Sequence, residues 1–353
     1  MERIYLGSDI MTSTPKEMWE AMEGADLLPA KEGGDRNMER LRERVCELTG
    51  YGDAALVPTC TIANLAALMT HGRPGDQVVA DAMTHFLWYE GNGVSAIAGL
   101  RTKLIDTDCG ILSAGQVEQA MAHSVCHQDP RTAVIFLENT HTIGGGTVYP
   151  VQTLAEIAEA ARRRSAAVHI DGARLFNAAV SVGGDMRSIT RHADSVSINL
   201  NKILGVPFGA LLCGSRDFIG RASRHIKMIG GHSMHKAGML AAAAMVLLNR
   251  EAYPAFLESL RALQERTFRF ARRLSEIPGI TVALERVQSN LFFMDVRRLG
   301  VDADEFMRQM EAAGVIGNYR DSHQIRLVVS TDRTEQELEE AAARIGSLAA
   351  AYR

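Results

Sequence analysis

Four short runs along the chain are apolar without interruption: DQVVAD (76–81), TAVIFLEN (132–139), AAVHID (166–171) and SVSINL (195–200). A half-exposed strand alternates apolar and polar residues, so runs this uniform predict strands of a mostly parallel sheet covered on both faces. Between them, IANLAALMTHG (62–72), AGQVEQAMAH (114–123) and VQTLAEIAEAARRR (151–164) carry apolar residues at helical spacing, as crossover connections require. Gly72 is an ordinary stop for the first of these helices.

Near the start, Thr14-Pro15-Lys16-Glu17 combines an N-cap threonine, a proline at the first helical position and a capping-box glutamate, which predicts a helix there and leaves residues 1–13 as an arm. Helices from Ala237 to about Asn249 and from Glu251 to Ile277 lead to Pro278-Gly279, where the texture changes. Beyond it, strands are expected at ITVALER (280–286), NLFFMDV (290–296) and QIRLVVS (324–330), with helices at 302–314 and 334–352, an α+β pattern. The expected organisation is an arm and first helix over 1–35, a large α/β domain over 36–250 and a small α+β domain over 251–353. No repeat, low-complexity segment or Pro/Ser-rich linker separates them.

Composition narrows the function class. A chain of 353 residues, 46% hydrophobic and 23% charged, with net charge -4, gives no electrostatic reason to expect nucleic acid. No stretch approaches the roughly 20 apolar residues of a membrane-spanning helix, and MERIYLGSDI has no signal-like apolar core, so the expected place is the cytoplasm and the expected partner a small molecule. Cys46, Cys60, Cys109, Cys126 and Cys213 are scattered without CxxC spacing, which supports neither a disulfide framework nor a metal site.

In an open parallel sheet, ligands collect beyond the carboxyl ends of the strands. Thr84-His85, Thr140-His141 with Gly144-Gly145-Gly146, Asp171-Gly172-Ala173-Arg174 and Asn201-Lys202 each follow a buried run, so all four could face one crevice. Lys202 is the only basic residue between Arg191 and Arg216, within the apolar NKILGVPFGALLCG. Desolvation favours the uncharged amine that Schiff-base chemistry needs, the alternative being a lysine that snorkels from a strand end. Asp171 needs a cationic partner, such as a protonated pyridine nitrogen, or else caps the next helix. Thr59, Cys60 and Thr61 gather N–H groups and hydroxyls at a helix start, suited to a phosphate or to plain N-capping. His85 and His141 could stack on a flat cofactor or shuttle protons, although a lone histidine is more often structural. Arg174 and Arg326 could clamp a carboxylate or sit in ordinary ion pairs.

Together, SDIMTSTPKEM, VPTCTIANL, LENTHTIGGGTV, HIDGARLFNA, SVSINLNKILGVPFGALLCGS and IKMIGG stand in the order found in low-specificity threonine aldolases, and the chain resembles that family over nearly its whole length. The resemblance implies the type I, aspartate-aminotransferase-like fold: a mostly parallel seven-stranded sheet domain with a smaller α+β C-terminal domain. It also implies pyridoxal 5'-phosphate as cofactor and cleavage of a β-hydroxy-α-amino acid to glycine and an aldehyde. By that likeness Lys202 is the Schiff-base lysine, Asp171 the pyridinium partner, Thr59, Cys60 and Thr61 the phosphate turn, and His85 the stacking histidine. Ser8, Arg174 and Arg326 fall at the substrate carboxylate, with Arg174 also counted beside the cofactor, and His141 near the β-hydroxyl. Lys227 matches a lysine contributed across a subunit boundary, which implies a homo-oligomer, dimer or tetramer.

The chain departs from the family pattern at Gly7-Ser8-Asp9, where Arg-Ser-Asp is usual, and at Glu32-Gly33-Gly34-Asp35-Arg36, where Tyr-Gly-Asp-Asp-Pro is usual. Cys60 replaces a glycine, and His235 stands for an expected arginine after a one-residue insertion at His232-Ser233. A related lyase, racemase or transaldolase is the alternative activity. A non-catalytic cofactor-binding subunit, which could lose Arg174 and Arg326, is the alternative outside enzymes.

Overall fold

The computed structural model describes residues 3–27, 35–122, 130–232 and 234–352. Strand β1 (Ile4–Tyr5) opens it. The next seven, β2 (Asp53–Val57), β3 (Gln77–Asp81), β4 (Arg101–Ile105), β5 (Thr132–Glu138), β6 (Ala167–Gly172), β7 (Ser195–Asn199) and β8 (Ala210–Gly214), form one sheet in the order β2-β8-β7-β6-β5-β3-β4. Only β8 runs antiparallel to its neighbours, β2 on one side and β7 on the other, while the strands from β3 to β7 pair in parallel.

The four apolar runs became β3, β5, β6 and β7, buried at nearly every residue because helices cover both faces. The edge strands β2 and β4 are only partly buried, and their mixed composition carries no comparable periodic signal. The helix Cys60–His71 begins two residues before the predicted Ile62 and packs on β6, β7 and β8. Its N-terminus therefore lies where the loops at the carboxyl ends of the strands converge.

After the long helix Tyr253–Ser275, β9 (Leu291–Asp295), β10 (Val315–Ile316), β11 (Asn318–Tyr319) and β12 (Gln324–Val328) follow. Strands β11, β12 and β9 form an antiparallel sheet in that order, and β10 pairs in parallel with β1. The expected strand over 280–286 is not formed. Ile280 and Val282 are buried in the core, but only Thr281 bridges β9, and the chain then turns into the short 3-10 helix Leu284–Arg286.

The first helix also differs in its cap. It spans Lys16–Glu23 with Pro15 at the N-cap and no side-chain cap bond. The Thr14 hydroxyl instead donates to Gly205 O at 2.7 Å, where it ties the arm to the loop that carries Lys202. Gly205 has φ +77, and a Cβ there would stand 3.1 Å from Ser13 O, so this contact between backbones requires glycine.

Candidate active site

Four neighbouring strands in the order β7-β6-β5-β3 end on polar residues at one edge of the sheet. Glu138 at the end of β5 stands opposite Asp171 on β6, and Asp171 stands opposite Ser197 on β7. Beyond those ends lie Asp81, His85, His141 and Lys202, so the crevice expected from the sequence exists and brings these positions together.

Lys202 sits in a tight loop whose shape is set by Asn199: its side-chain oxygen accepts from the N–H of Asn201 at 2.7 Å and of Lys202 at 2.9 Å. The Lys202 amine is half-buried, and among the described residues it makes no hydrogen bond or ion pair. Its charge reaches Asp9, Cys60 and Asp171, in each case lowering the acid's pKa.

The Asp171 carboxylate is buried. One oxygen accepts from Asn64 Nδ2 at 2.8 Å and the other from Ala173 N at 3.0 Å. Burial and the Glu138 charge push its pKa above the ordinary carboxylate value, and His85 and Lys202 oppose them. The two hydrogen bonds and a nearby cation both offset the cost of keeping such a group ionised.

Thr59 is the N-cap of the helix Cys60–His71, and its hydroxyl accepts from Ile62 N at 3.2 Å. The N–H groups of Cys60 and Thr61 have no acceptor among the described residues, which leaves the positive end of the helix dipole open to an anion. Burial, with the Asp171 charge, pushes the Cys60 thiol up to about 12, so it stays a neutral small residue there.

His85 opens a short helix, stacks against Tyr89 at 5.1 Å between ring centroids, and places Nδ1 2.9 Å from Glu90 Oε1. A carboxylate acceptor there puts the proton on Nδ1 and leaves a lone pair on Nε2. Burial by itself lowers the His85 pKa, but the Glu90 hydrogen bond and the charges of Glu138 and Asp171 outweigh it and raise the value.

His141 is held differently. Its Nδ1 accepts from Gly144 N at 2.9 Å, and its Nε2 lies 3.3 Å from Asp81 Oδ1 and 3.7 Å from Glu138 Oε2. With 1% of its surface exposed, it turns both ring nitrogens toward protein groups. The Gly144-Gly145-Gly146 turn thus serves to lock this ring.

The two arginines contrast. Arg174 is buried and binds Asp9 bidentately, Nε to Oδ2 at 2.7 Å and Nη2 to Oδ1 at 2.8 Å, while Nη1 donates to Thr142 Oγ1 at 3.1 Å. Arg326 contacts Gly7 O at 3.3 Å through Nη2, and its buried Nε has no partner among the described residues. Burial and the neighbouring Arg174 charge lower its pKa, as expected of a cation without a counter-ion. Ser8 lies in the chain between Gly7, which accepts from Arg326, and Asp9, which binds Arg174, and its hydroxyl accepts from Ile10 N at 3.3 Å.

Lys227 and His235 are exposed and make no side-chain hydrogen bond or ion pair among the described residues. Between them Gly231 lies so close to Ile62 that a Cβ would come within 2.6 Å, so this segment runs past the turn at Thr59, Cys60 and Thr61. Glu32, Gly33 and Gly34 of the altered loop, Cys126, and Ser233 of the insertion lie outside the described residues. Sequence reading missed Asp9, Asn64, Asp81, Glu90 and Glu138. The signal was there for some of them: Asn64 interrupts the apolar IANLAALM, and Asp81 and Glu138 end buried strands, where an unpartnered polar group is costly.

The family model described as beta-eliminating lyase matches residues 6–297. The chain is 34% identical over 342 residues to the low specificity L-threonine aldolase of Escherichia coli strain K12, covering 96% of this chain and 97% of that one. It is 32% identical over 339 residues to low-specificity L-threonine aldolase 1 of Arabidopsis thaliana, covering 93% and 91%. Among solved structures, the Leishmania major threonine aldolase superposes with a TM-score of 0.81 at 20% identity, over 98% of this chain and 99% of that one, a likeness of fold.

Proposed function

The chain belongs to the beta-eliminating lyase family, and from that premise we propose that it is a pyridoxal-phosphate-dependent aldolase that cleaves a β-hydroxy-α-amino acid of the threonine or allo-threonine type to glycine and an aldehyde. One observation carries the reading. Among the described residues, the site gathers an amine without a hydrogen-bond partner at Lys202, a buried carboxylate without an ion pair at Asp171, two N–H groups without acceptors at Cys60 and Thr61, and a guanidinium without an ion pair at Arg326.

These residues fit the cofactor and substrate together. Lys202 would hold the aldehyde carbon, Asp171 the ring nitrogen, the helix N-terminus with Thr59, Cys60 and Thr61 the phosphate, and Arg326 with Ser8 the substrate carboxylate. When bound, the protonated ring supplies an electron sink for the pair released as the Cα–Cβ bond breaks. Arg174 contributes through its remaining Nη protons and by fixing the segment 7–9 through Asp9. Carboxylate binding at Arg326 would fix the orientation of the substrate's Cα substituents.

His85 is the group with a nitrogen free to take the β-hydroxyl proton, because Glu90 fixes its other nitrogen as the donor. His141, with both ring nitrogens turned to protein groups, would hold Asp81, Glu138 and the Gly144 turn in place. We further read the protein as a cytoplasmic homo-oligomer, dimer or tetramer, in which Lys227 and His235 reach the site of a second copy. Both are exposed, and among the described residues neither side chain has a hydrogen-bond or ion-pair partner, which suits residues that reach another copy. No helix among the described residues is long and apolar enough to cross a membrane. A second reading, a related lyase, racemase or transaldolase, draws support from the altered residues at Gly7 and 32–36, because the same groups serve each reaction.

The deciding experiment compares the visible absorption of the purified protein with that of Lys202→Ala, then assays aldehyde release from L-threonine, L-allo-threonine and phenylserine. Cofactor absorption lost in the variant together with aldehyde release supports the aldolase. Absorption without aldehyde moves the assignment to the second reading.

A further inference from the structure

A continuous line of polar side chains runs from the outer part of the sheet to the back of the site. His71 Nε2 lies 2.8 Å from Ser195 Oγ, which lies 2.8 Å from His169 Nδ1. His169 Nε2 lies 3.2 Å from Asn64 Oδ1, which also accepts from Ser197 Oγ at 2.7 Å. Asn64 Nδ2 then donates to Asp171 Oδ2 at 2.8 Å and to Glu90 Oε1 at 2.9 Å.

The chemistry of these groups gives the line one direction. Ionised carboxylates only accept, so with Asp171 and Glu90 ionised Asn64 turns its NH2 toward them and its oxygen toward Ser197 and His169. His169 must then carry its proton on Nε2 and accept on Nδ1 from the Ser195 hydroxyl. The Ser195 oxygen in turn accepts from His71 Nε2–H. Every donor and acceptor along the path is matched with both histidines neutral. Burial keeps them so: with the nearby Arg221 charge it pushes His71 down to about 4, and it holds His169 well below its ordinary value.

We propose that Asn64 and His169 are positioning residues, locked by Ser195 and His71, that hold Asp171 and Glu90 as hydrogen-bonded anions, the first toward the place where the cofactor's ring nitrogen would bind and the second toward His85. With the opposite His169 tautomer, Nε2 would present a lone pair to Asn64 Oδ1. The amide would then flip and aim its oxygen at two carboxylates. One amide thus serves both the acid that would pair with the ring nitrogen and the acid that orients the proposed base. This rests on the functional reading above.

The test uses the cofactor-loaded protein with ring-15N-labelled pyridoxal phosphate, read by NMR for protonation of the ring nitrogen and by dialysis for the cofactor dissociation constant. Asn64→Leu removes the amide at similar volume, His169→Leu removes the donor behind it, and His169→Gln supplies a replacement N–H. The expected result is loss of ring-nitrogen protonation near neutral pH and about tenfold weaker cofactor binding in the two leucine variants, with recovery in His169→Gln. If Asn64→Leu does not fold, the Leu and Gln variants of His169 carry the comparison. Leucine variants with native circular dichroism, parental ring protonation and parental affinity would overturn the proposal alone. A parent protein that takes up no cofactor at Lys202 would overturn the functional reading, and the proposal with it.

Discussion

Arg174 grips Asp9 through two parallel bonds of 2.7 and 2.8 Å, although 165 positions separate them in the chain. Both side chains are buried, at 3% and 0% exposure. The arm residue Asp9 is therefore tied to Arg174, the N-cap of the helix after β6, while the preceding β1 pairs with β10, and the segment from Gly7 to Asp9 is held at both ends by arginines.

Asp9→Ala leaves the Arg174 charge buried without its partner, which should cost about 3–5 kcal/mol of unfolding free energy by chemical denaturation. Burial acts to raise the Asp9 pKa, but Arg174, helped by Lys202 and Asn290, holds it down at about 2 against an ordinary 3.8. A depressed folded-state value means the contribution is present above pH 3.8 and is lost as pH falls through about 2. Asp9→Asn should therefore flatten the acid limb of the stability curve in that window, and an unchanged limb would show that the pair is not ionised.

Arg326→Gln should behave oppositely. Removing a cation that has no ion pair among the described residues should leave thermal stability unchanged or raised, while KM for the amino acid rises and kcat/KM falls about 100-fold, the scale of losing charge-assisted bonds to a carboxylate. A KM equal to the parent's would remove Arg326 from the substrate site.

The His85 ring titrates above the ordinary 6.5: burial lowers its pKa, and the Glu90 bond with the charges of Glu138 and Asp171 more than offsets that. Its charged form stabilises the fold below the unfolded value, a contribution lost as pH rises through the folded pKa. If the neutral ring is the base, kcat/KM should climb with pH through a midpoint above 6.5. Glu90→Gln should move that midpoint down. A midpoint that Glu90→Gln leaves in place assigns the limb to another group.

Gly110 has φ +80, and a Cβ there would collide with the His141 ring. Gly110→Ala should thus lower stability by more than about 1 kcal/mol and depress activity, whereas Gly115→Ala, a helical position with open space, should be neutral or stabilising by up to about 1 kcal/mol. Equal effects at the two positions would mean that the His141 pocket yields easily.

With its thiol pushed up to about 12, Cys60 should resist iodoacetamide in the native protein at about pH 8, and Cys60→Ser should keep cofactor affinity within about threefold of the parent. Fast alkylation of Cys60 would show that the helix start is open and polar.

The chain's own pattern was enough to locate β3, β5, β6 and β7 and the reactive residues just past them, because burial on both faces demands uniform apolar runs and those runs must end where polar groups can reach water or ligand. It failed over 280–286, where apolar residues serve the core and the pairing with β9 stops after Thr281, and at Thr14, whose hydroxyl is drawn away by Gly205. Nor could it separate Arg174 from Arg326, or attach Asn64 to Asp171 across 107 positions and His169 to Asn64 across 105. Local periodicity records how deep a side chain lies, whereas a hydrogen-bond partner is fixed only when distant segments meet, so the charge state of the site was decided by the tertiary structure alone.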